Sequence, residues 1–316
     1  MLIPVLLFIC GLALLIKGGD WFVDGAERIA HRFHMPELLI GATVVSIGTT
    51  LPEVMVSAQG ALVGNGSIAF GNAVGSVICN TALIAAITLV VKPAKVNRKT
   101  ILLPTAAFFI AAAYYCYNAY AYGAFSLHSG LALLSMFVVY MAVTVLQMKR
   151  SPDPFPAEGA ASNGSLGADL LNLVGGAVVI AIGARLLVDN ATVIATALGV
   201  PESVIALTLV ALGTSLPELV TAVTSLIKGH GALSLGNIIG ANLFNLVLVS
   251  GTAITINPFD LSTASATSMV VDIPLMLGVM LLLTLPALIR QKLYRWQGAV
   301  LLLTYAAYCA FLFTQG

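Results

Sequence analysis

Apolar residues run along this chain in long blocks that short polar interruptions separate. A helix needs about 20 residues to cross a hydrocarbon layer of about 30 Å. Ten stretches reach or approach that length: residues 2–27, 37–63, 67–91, 100–119, 125–147, 166–190, 201–227, 232–256, 267–288 and 296–313. Most connections are very short, as at Gly64, Asn65 and Gly66, so successive spans are expected to be antiparallel neighbours. One connection differs. Residues 151–167 are rich in Pro, Gly, Ala and Ser and read as a flexible linker that divides the chain. The predicted fold is an all-α polytopic membrane protein of ten transmembrane helices, with a first five-helix unit at 1–150, a linker at 151–165 and a second five-helix unit at 166–316.

Composition agrees with this pattern and closes off other classes. Of the 316 residues, 59% are hydrophobic and only 9% are charged, with a mean hydropathy of +1.02, far from the balance of a soluble domain. A formal charge of +1 offers no concentrated basic surface for a nucleic acid. The first apolar stretch holds Lys17 and Asp20 and lacks a small-residue cleavage pattern, so it reads as a retained helix and not as a signal peptide. Cys10, Cys79, Cys116 and Cys309 sit inside apolar segments without metal-ligand spacing and read as packing residues.

The position of the few charges tests the span count. Arg28, Arg32, Lys92, Lys95, Arg98, Lys99, Lys149, Arg150, Lys228, Arg290, Lys292 and Arg295 all fall at one side of a ten-span arrangement. Basic residues concentrate in cytoplasmic loops, which puts the linker in the cytoplasm and both termini outside. Lys17 and Arg185 remain within spans, where they are expected to snorkel or to pair with Asp20, Asp24 or Asp189.

The chain also repeats itself. Residues 35–53 read MPELLIGATVVSIGTTLPE and residues 200–218 read VPESVIALTLVALGTSLPE, identical at ten of nineteen positions with an offset of 165. The same offset relates GNAVGSVICN at 71–80 to GNIIGANLFN at 236–245. Five spans precede the linker, so the second copy starts on the opposite side of the membrane, which makes the halves inverted repeats. Within each copy, Gly48, Thr49, Thr50, Leu51, Pro52 and Glu53 match Gly213, Thr214, Ser215, Leu216, Pro217 and Glu218. Proline lacks a backbone donor and clashes with the preceding turn, so each helix is expected to kink or break there. Such a break is tolerable in a bilayer only where protein, water or an ion replaces the lost bonds. Hydroxyl, carbonyl and carboxylate oxygens together suit a hard cation such as Na⁺ or Ca²⁺.

A lone buried carboxylate can also be protonated or paired with a base for structural reasons. Duplication of the same hydroxyl, proline and glutamate arrangement on two helices favours the ion-binding reading, because intramembrane ionisable groups are usually functional. Asn80 and Asn245 are candidates to coordinate an ion or to hold the glutamates, although asparagine also staples helices together. Ser76 lies one turn before Asn80 on the same face, and its counterpart is Ala241. The pairs Gly71 and Gly75, and Gly236 and Gly240, read first as close-packing surfaces.

These motifs, GTTLPE with GNAVGSVICN and GTSLPE with GNIIGANLFN, resemble the two alpha-repeats of the sodium/calcium exchanger family within the cation/calcium antiporters, and the resemblance covers nearly the whole chain. It implies alternating access, with cytosolic Ca²⁺ extruded against entering Na⁺. It further implies a ligand set of the Glu53 and Glu218 carboxylates, the hydroxyls of Thr49, Thr50, Thr214, Ser215 and Ser76, backbone carbonyls near Ser46 and Ala211, and the Asn80 amide. Two positions depart from prokaryotic members, which often have aspartate where this chain has Asn245 and serine where it has Ala241. Four central positions, Glu53, Asn80, Glu218 and Asn245, therefore supply two formal negative charges. Transported Na⁺ and Ca²⁺ are the expected site ions, with no other cofactor and with membrane lipid as the surroundings. An antiporter coupled to H⁺ or carrying another cation is the alternative, followed by a cation channel. No nucleophile-base or paired-aspartate arrangement suggests an enzyme, and nothing points to an obligate protein partner.

Overall fold

The computed structural model describes residues 2–93, 95–150, 165–198, 211–261 and 268–315. Its long helices are α1 (Leu2–Arg32), α2 (Glu37–Leu62), α3 (Gly66–Val91), α4 (Arg98–Tyr122), α5 (Leu127–Arg150), α6 (Leu166–Ala197), α7 (described from Ala211 to Ile227), α8 (Gly231–Ile256), α9 (described from Ser268 to Arg290) and α10 (Arg295–Gln315). Among the described residues eight are long and apolar enough to cross a membrane, namely all but α7 and α10. The α10 helix is 21 residues long, and the first part of the expected seventh span, residues 201–210, lies outside the described residues, as do linker residues 151–164. Several helices outrun their predicted ends. The first extends to Arg32 rather than residue 27, its last turns held by Arg28 and Arg32 against Asp169, and the sixth to Ala197 rather than 190, where Thr192 and Thr196 bond back to their own helix.

Burial separates an inner group from an outer one. Within their apolar windows α8 is 89% buried, α3 72% and α2 56%, whereas α1, α5 and α6 are 22–28% buried. Helices with apolar side chains all round and the highest burial belong at the centre, and those with a wide apolar outer face belong against lipid. The two longest outer helices, α1 and α6, form an antiparallel pair. Gly11, Gly18 and Gly25, seven residues apart, lie against Gly183, Ile180 and Leu173 in turn, and an added Cβ at Gly25 would meet the Leu173 amide at 2.5 Å. Only a missing side chain lets these backbones approach so closely.

The inner helices depart from regular α geometry where the repeats predict trouble, in a different form from the one expected. In α2 the chain passes through Pro52 within an α-helical run, and the irregularity lies upstream in a π-helical turn over Gly41–Val45. A π turn absorbs an extra residue and so accommodates strain without severing the helix. In α7 the helix does break. Ala211–Thr214 ends at Ser215, and a new helix begins at Leu216 with Pro217 in its first turn, where a missing donor costs nothing. Further π turns begin at Asn80 in α3 and at Asn245 in α8, the same offset of 165.

The ends show the inverted relation again. The 3–4 loop pairs with the 9–10 loop through an antiparallel bridge between Lys95 and Lys292. At the opposite end the 4–5 loop pairs with the 8–9 loop as a two-residue ribbon, Ala124 opposite Asp260 and Phe125 opposite Phe259. These tiny ribbons are the strand content among the described residues. At the basic end Arg32 bonds Asp169 at 2.7 Å, tying α1 to α6, and Lys228 reaches Asp24 at 2.6 Å and Asp20 at 3.3 Å. Asp20 and Asp24 thus pair with Lys228 rather than with Lys17, which sits over the Trp21 ring. Arg185 pairs with Asp189 as expected, at 3.6 Å on an exposed face. The four cysteines are free.

Candidate functional site

The midpoints of α2, α3, α7 and α8 bring the repeated polar residues into the interior. Glu53 and Glu218 are both 0% exposed, as are Thr50, Asn80 and Asn245, and Thr49 and Ser215 are 2% exposed. The two carboxylates are electrostatic neighbours, and the Thr49 and Thr50 hydroxyls face Glu218 without closing to hydrogen-bond geometry. No protein partner meets either oxygen of Glu53 or of Glu218, the amide atoms of Asn80 and Asn245, the Thr50 hydroxyl or the Ser215 hydroxyl. Nearly all buried polar groups in folded proteins are satisfied, and leaving one unmet costs about 1–3 kcal/mol, more for a charge. Six residues of the sequence-derived set are therefore a concentrated group of buried oxygens and amides without protein partners.

The remaining candidates are positioned nearby or hold the frame. Ser76 is buried one turn before Asn80. Thr214 is half-buried, and its hydroxyl lies 3.5 Å from Asn72 Oδ1. Ser46 opens the α-helical run that follows the π turn, and its hydroxyl lies 2.7 Å from Gly41 O and 2.9 Å from Asn237 O, sharing its one proton between them, so its side chain links α2 to α8. Ala211 begins the described part of α7. Among the described residues no group of three or more His, Cys, Asp or Glu side chains is arranged to hold a metal ion by itself.

The comparison with known proteins extends from these residues to the whole chain. A family model described as "Sodium/calcium exchanger protein" matches residues 3–146 and 169–314. The chain belongs to the sodium/calcium exchanger family. It is 35% identical to an uncharacterized membrane protein of Methanocaldococcus jannaschii over 94% of each chain, and 30% identical to the sodium/calcium exchanger MaX1 of Methanosarcina acetivorans over 98% of each. Its fold matches that of the sodium-calcium exchanger NCX_Mj, soaked with zero Na⁺ and Ca²⁺, with a TM-score of 0.82, 34% identity, and coverage of 98% of this chain and 99% of that one. The inverted-repeat architecture of this exchanger chain follows from that match and from the offset of 165.

Two further residues contact the candidate site and were not among those expected from the sequence, Asn72 and Asn237. Asn237 Oδ1 accepts from Thr49 Oγ1 at 3.1 Å and lies 3.3 Å from Ser46 Oγ. Its counterpart Asn72 lies opposite Thr214, and donates to the Glu53 carbonyl at 3.1 Å and to Ser57 at 2.9 Å. The two contacts are related by the repeat, since Thr49 corresponds to Thr214 and Asn72 to Asn237. The available signal was an asparagine after the first glycine of both quoted motifs. A further polar contact has no repeat counterpart: Asn242 donates to Thr81 at 2.7 Å and lies 3.1 Å from Met280 Sδ. The glycine expectation holds in the second half, where a Cβ at Gly236 would strike Leu38 and one at Gly240 would strike Ala42 and Ser46. At Gly71 and Gly75 an added Cβ meets nothing within 4 Å among the described residues, and the segment corresponding to Leu38–Ala42, residues 203–207, lies outside them.

Proposed function

We propose that this exchanger moves Na⁺ against Ca²⁺ by alternating access and binds both as substrates at Glu53 and Glu218. Further oxygens come from Thr49, Thr50, Ser76, Asn80, Thr214, Ser215 and Asn245, and from backbone carbonyls near Ser46 and Ala211. The observation that carries this reading is that both carboxylates are fully buried, close enough for the charge of Glu218 to act on Glu53, and without a protein hydrogen-bond partner. Two unpaired anions in a dry interior are strongly disfavoured, and among the described residues no lysine or arginine pairs with either. Cations resolve the conflict and hard ones fit the oxygen ligands. Asn72 and Asn237 hold the hydroxyl-bearing turns of the opposite repeat, so filling the site couples α2 and α3 to α7 and α8. Proteoliposomes loaded with Na⁺ should take up Ca²⁺ when diluted into Na⁺-free medium. Equal uptake without a Na⁺ gradient would indicate a channel and overturn exchange.

The relatives from Methanocaldococcus jannaschii and Methanosarcina acetivorans favour a prokaryotic cytoplasmic membrane, and the one-sided basic residues favour residues 151–165 as a cytoplasmic linker between the units 1–150 and 166–316, with both termini outside. Single cysteines placed in the linker and near residue 315 should label from opposite sides, and labelling from one side would refute this orientation.

A further inference from the structure

The basic residues do more than mark one side of the membrane. The 3–4 and 9–10 loops are joined by the Val96 amide, which donates to Gln291 O at 3.0 Å, beside the Lys95–Lys292 bridge. Beneath this junction is a cavity of about 220 Å³, lined by Lys92, Lys95, Gly231, Ala232, Ser234 and Leu293 among others. At about 30 Å³ per water it has room for roughly seven. Lys92 and Lys95 have no acidic partner among the described residues. Gly231 and Ala232 form the first turn of α8, where His230 provides no side-chain cap. The free amides of such a turn, with the helix dipole behind them, favour an anion.

A second feature indicates a ligand independently of the helix end. Ser234 is 2% exposed, lines the same cavity, and its hydroxyl has no protein partner. Two ammonium groups, an uncapped helix start and an unmet hydroxyl are complementary to a phosphate oxyanion, and the lysines would repel a transported cation. The opposite end of the molecule carries the inverted counterpart of this junction, where Asp260 occupies the position corresponding to Lys95. The basic lining is thus a property of this end and not of the loop architecture.

We propose that this cavity binds the phosphodiester headgroup of an anionic membrane phospholipid. It lies at the ends of α3, α7 and α8, next to the exposed Val91 and Ile227, which offer acyl chains an apolar edge while the headgroup enters the cavity, and basic pockets between helix ends are suited to such headgroups. A bound headgroup would link the 3–4 loop to the start of α8, the helix that carries Asn237 and Asn245. The assignment is independent of which ions the central site takes.

The test is native mass spectrometry of the full chain, delipidated and titrated with phosphatidylglycerol or with phosphatidylcholine, alongside thermal melting with each. Phosphatidylglycerol should be retained and should raise the melting temperature, whereas phosphatidylcholine should not. The double variant Lys92→Ala/Lys95→Ala should weaken retention roughly thirtyfold, and Ser234→Ala should weaken it by a smaller factor. Arg98→Ala/Lys99→Ala removes the same charge from the same segment outside the cavity and should change little. Equal loss in that control would reduce the effect to general attraction to a charged surface and overturn the site. Undiminished retention in Lys92→Ala/Lys95→Ala would overturn it as well. Inorganic phosphate alone reproducing the stabilisation without lipid would show a soluble-anion site and overturn the lipid assignment.

Discussion

At the residue scale the central fact is that Glu53 and Glu218 are fully buried within electrostatic reach of each other and without protein hydrogen-bond partners. If a cation supplies the missing charge, a neutral amide at either position removes attraction where no water can replace it. Breaking a buried charge pair costs about 3 kcal/mol or more, so Glu53→Gln and Glu218→Gln should each lower Ca²⁺ flux per folded protein roughly a hundredfold. Near-normal flux in both would remove these residues from the mechanism. Both glutamates were legible in the sequence because a charge within an apolar block stands out and because it occurs twice. Asn72 and Asn237 were harder to find because they sit near the ends of the repeated motifs and their role is a contact across the repeat. Thr49 reaches Asn237 over 188 positions, a pairing that no local spacing encodes.

At the element scale the helices were largely legible and their irregularities were not. Proline identifies a missing donor, but whether the chain breaks or inserts a π turn depends on tertiary packing. In α2, Gly41 is pressed against Leu233 and Asn237 of α8, and the neighbouring Ser46 hydroxyl bonds back to Gly41 O, so the distortion settles upstream of Pro52. The helix ends carried a second surprise. His230, before α8, lies 2.9 Å from Glu37 at the start of α2 and 3.3 Å from Glu27 of α1, while His31 also approaches Glu27 at 3.6 Å. These carboxylates favour the protonated His230 imidazole and push its pKa up to about 10 from the ordinary value of 6.5, with Glu27 the larger cause and Glu37 the next. A group raised in this way stabilises the fold fully below its unfolded value near 6.5 and loses that contribution as pH rises toward 10. The melting temperature should therefore fall across that interval in the wild type, and less steeply in His230→Gln. Parallel curves would show that the contact does not join the three helices energetically.

At the scale of the whole molecule, the inverted repeat explains why one sequence offset predicts both the paired site and the paired loop ribbons, and where the halves differ it bears on coupling. Symmetry would place an acidic or amide group at four central positions, and this chain has Glu53, Asn80, Glu218 and Asn245 there. Two ionised glutamates give −2, which balances one Ca²⁺ or two Na⁺ in a low-dielectric interior, and further positive charge is disfavoured. Ala241, opposite Ser76, also removes one oxygen from the second half. We therefore expect coupling near two Na⁺ per Ca²⁺, or partial replacement of Na⁺ by H⁺, with weaker binding of a third Na⁺ than in relatives that have aspartate at the position of Asn245. The deciding measurement is the reversal potential of Ca²⁺ flux in proteoliposomes under imposed Na⁺, pH and voltage gradients. An electroneutral two-for-one exchange should reverse at a Na⁺ gradient that voltage does not move, and H⁺ coupling should appear as a shift with pH. A voltage shift matching three Na⁺ per Ca²⁺ would refute the charge-balance argument and leave the cation site intact. Asn245→Asp provides the companion case. If residue 245 faces the ions, an added ionisable oxygen should tighten Na⁺ or Ca²⁺ binding and move the reversal point toward voltage dependence, whereas an unchanged reversal point and affinity would place Asn245 outside the ion site.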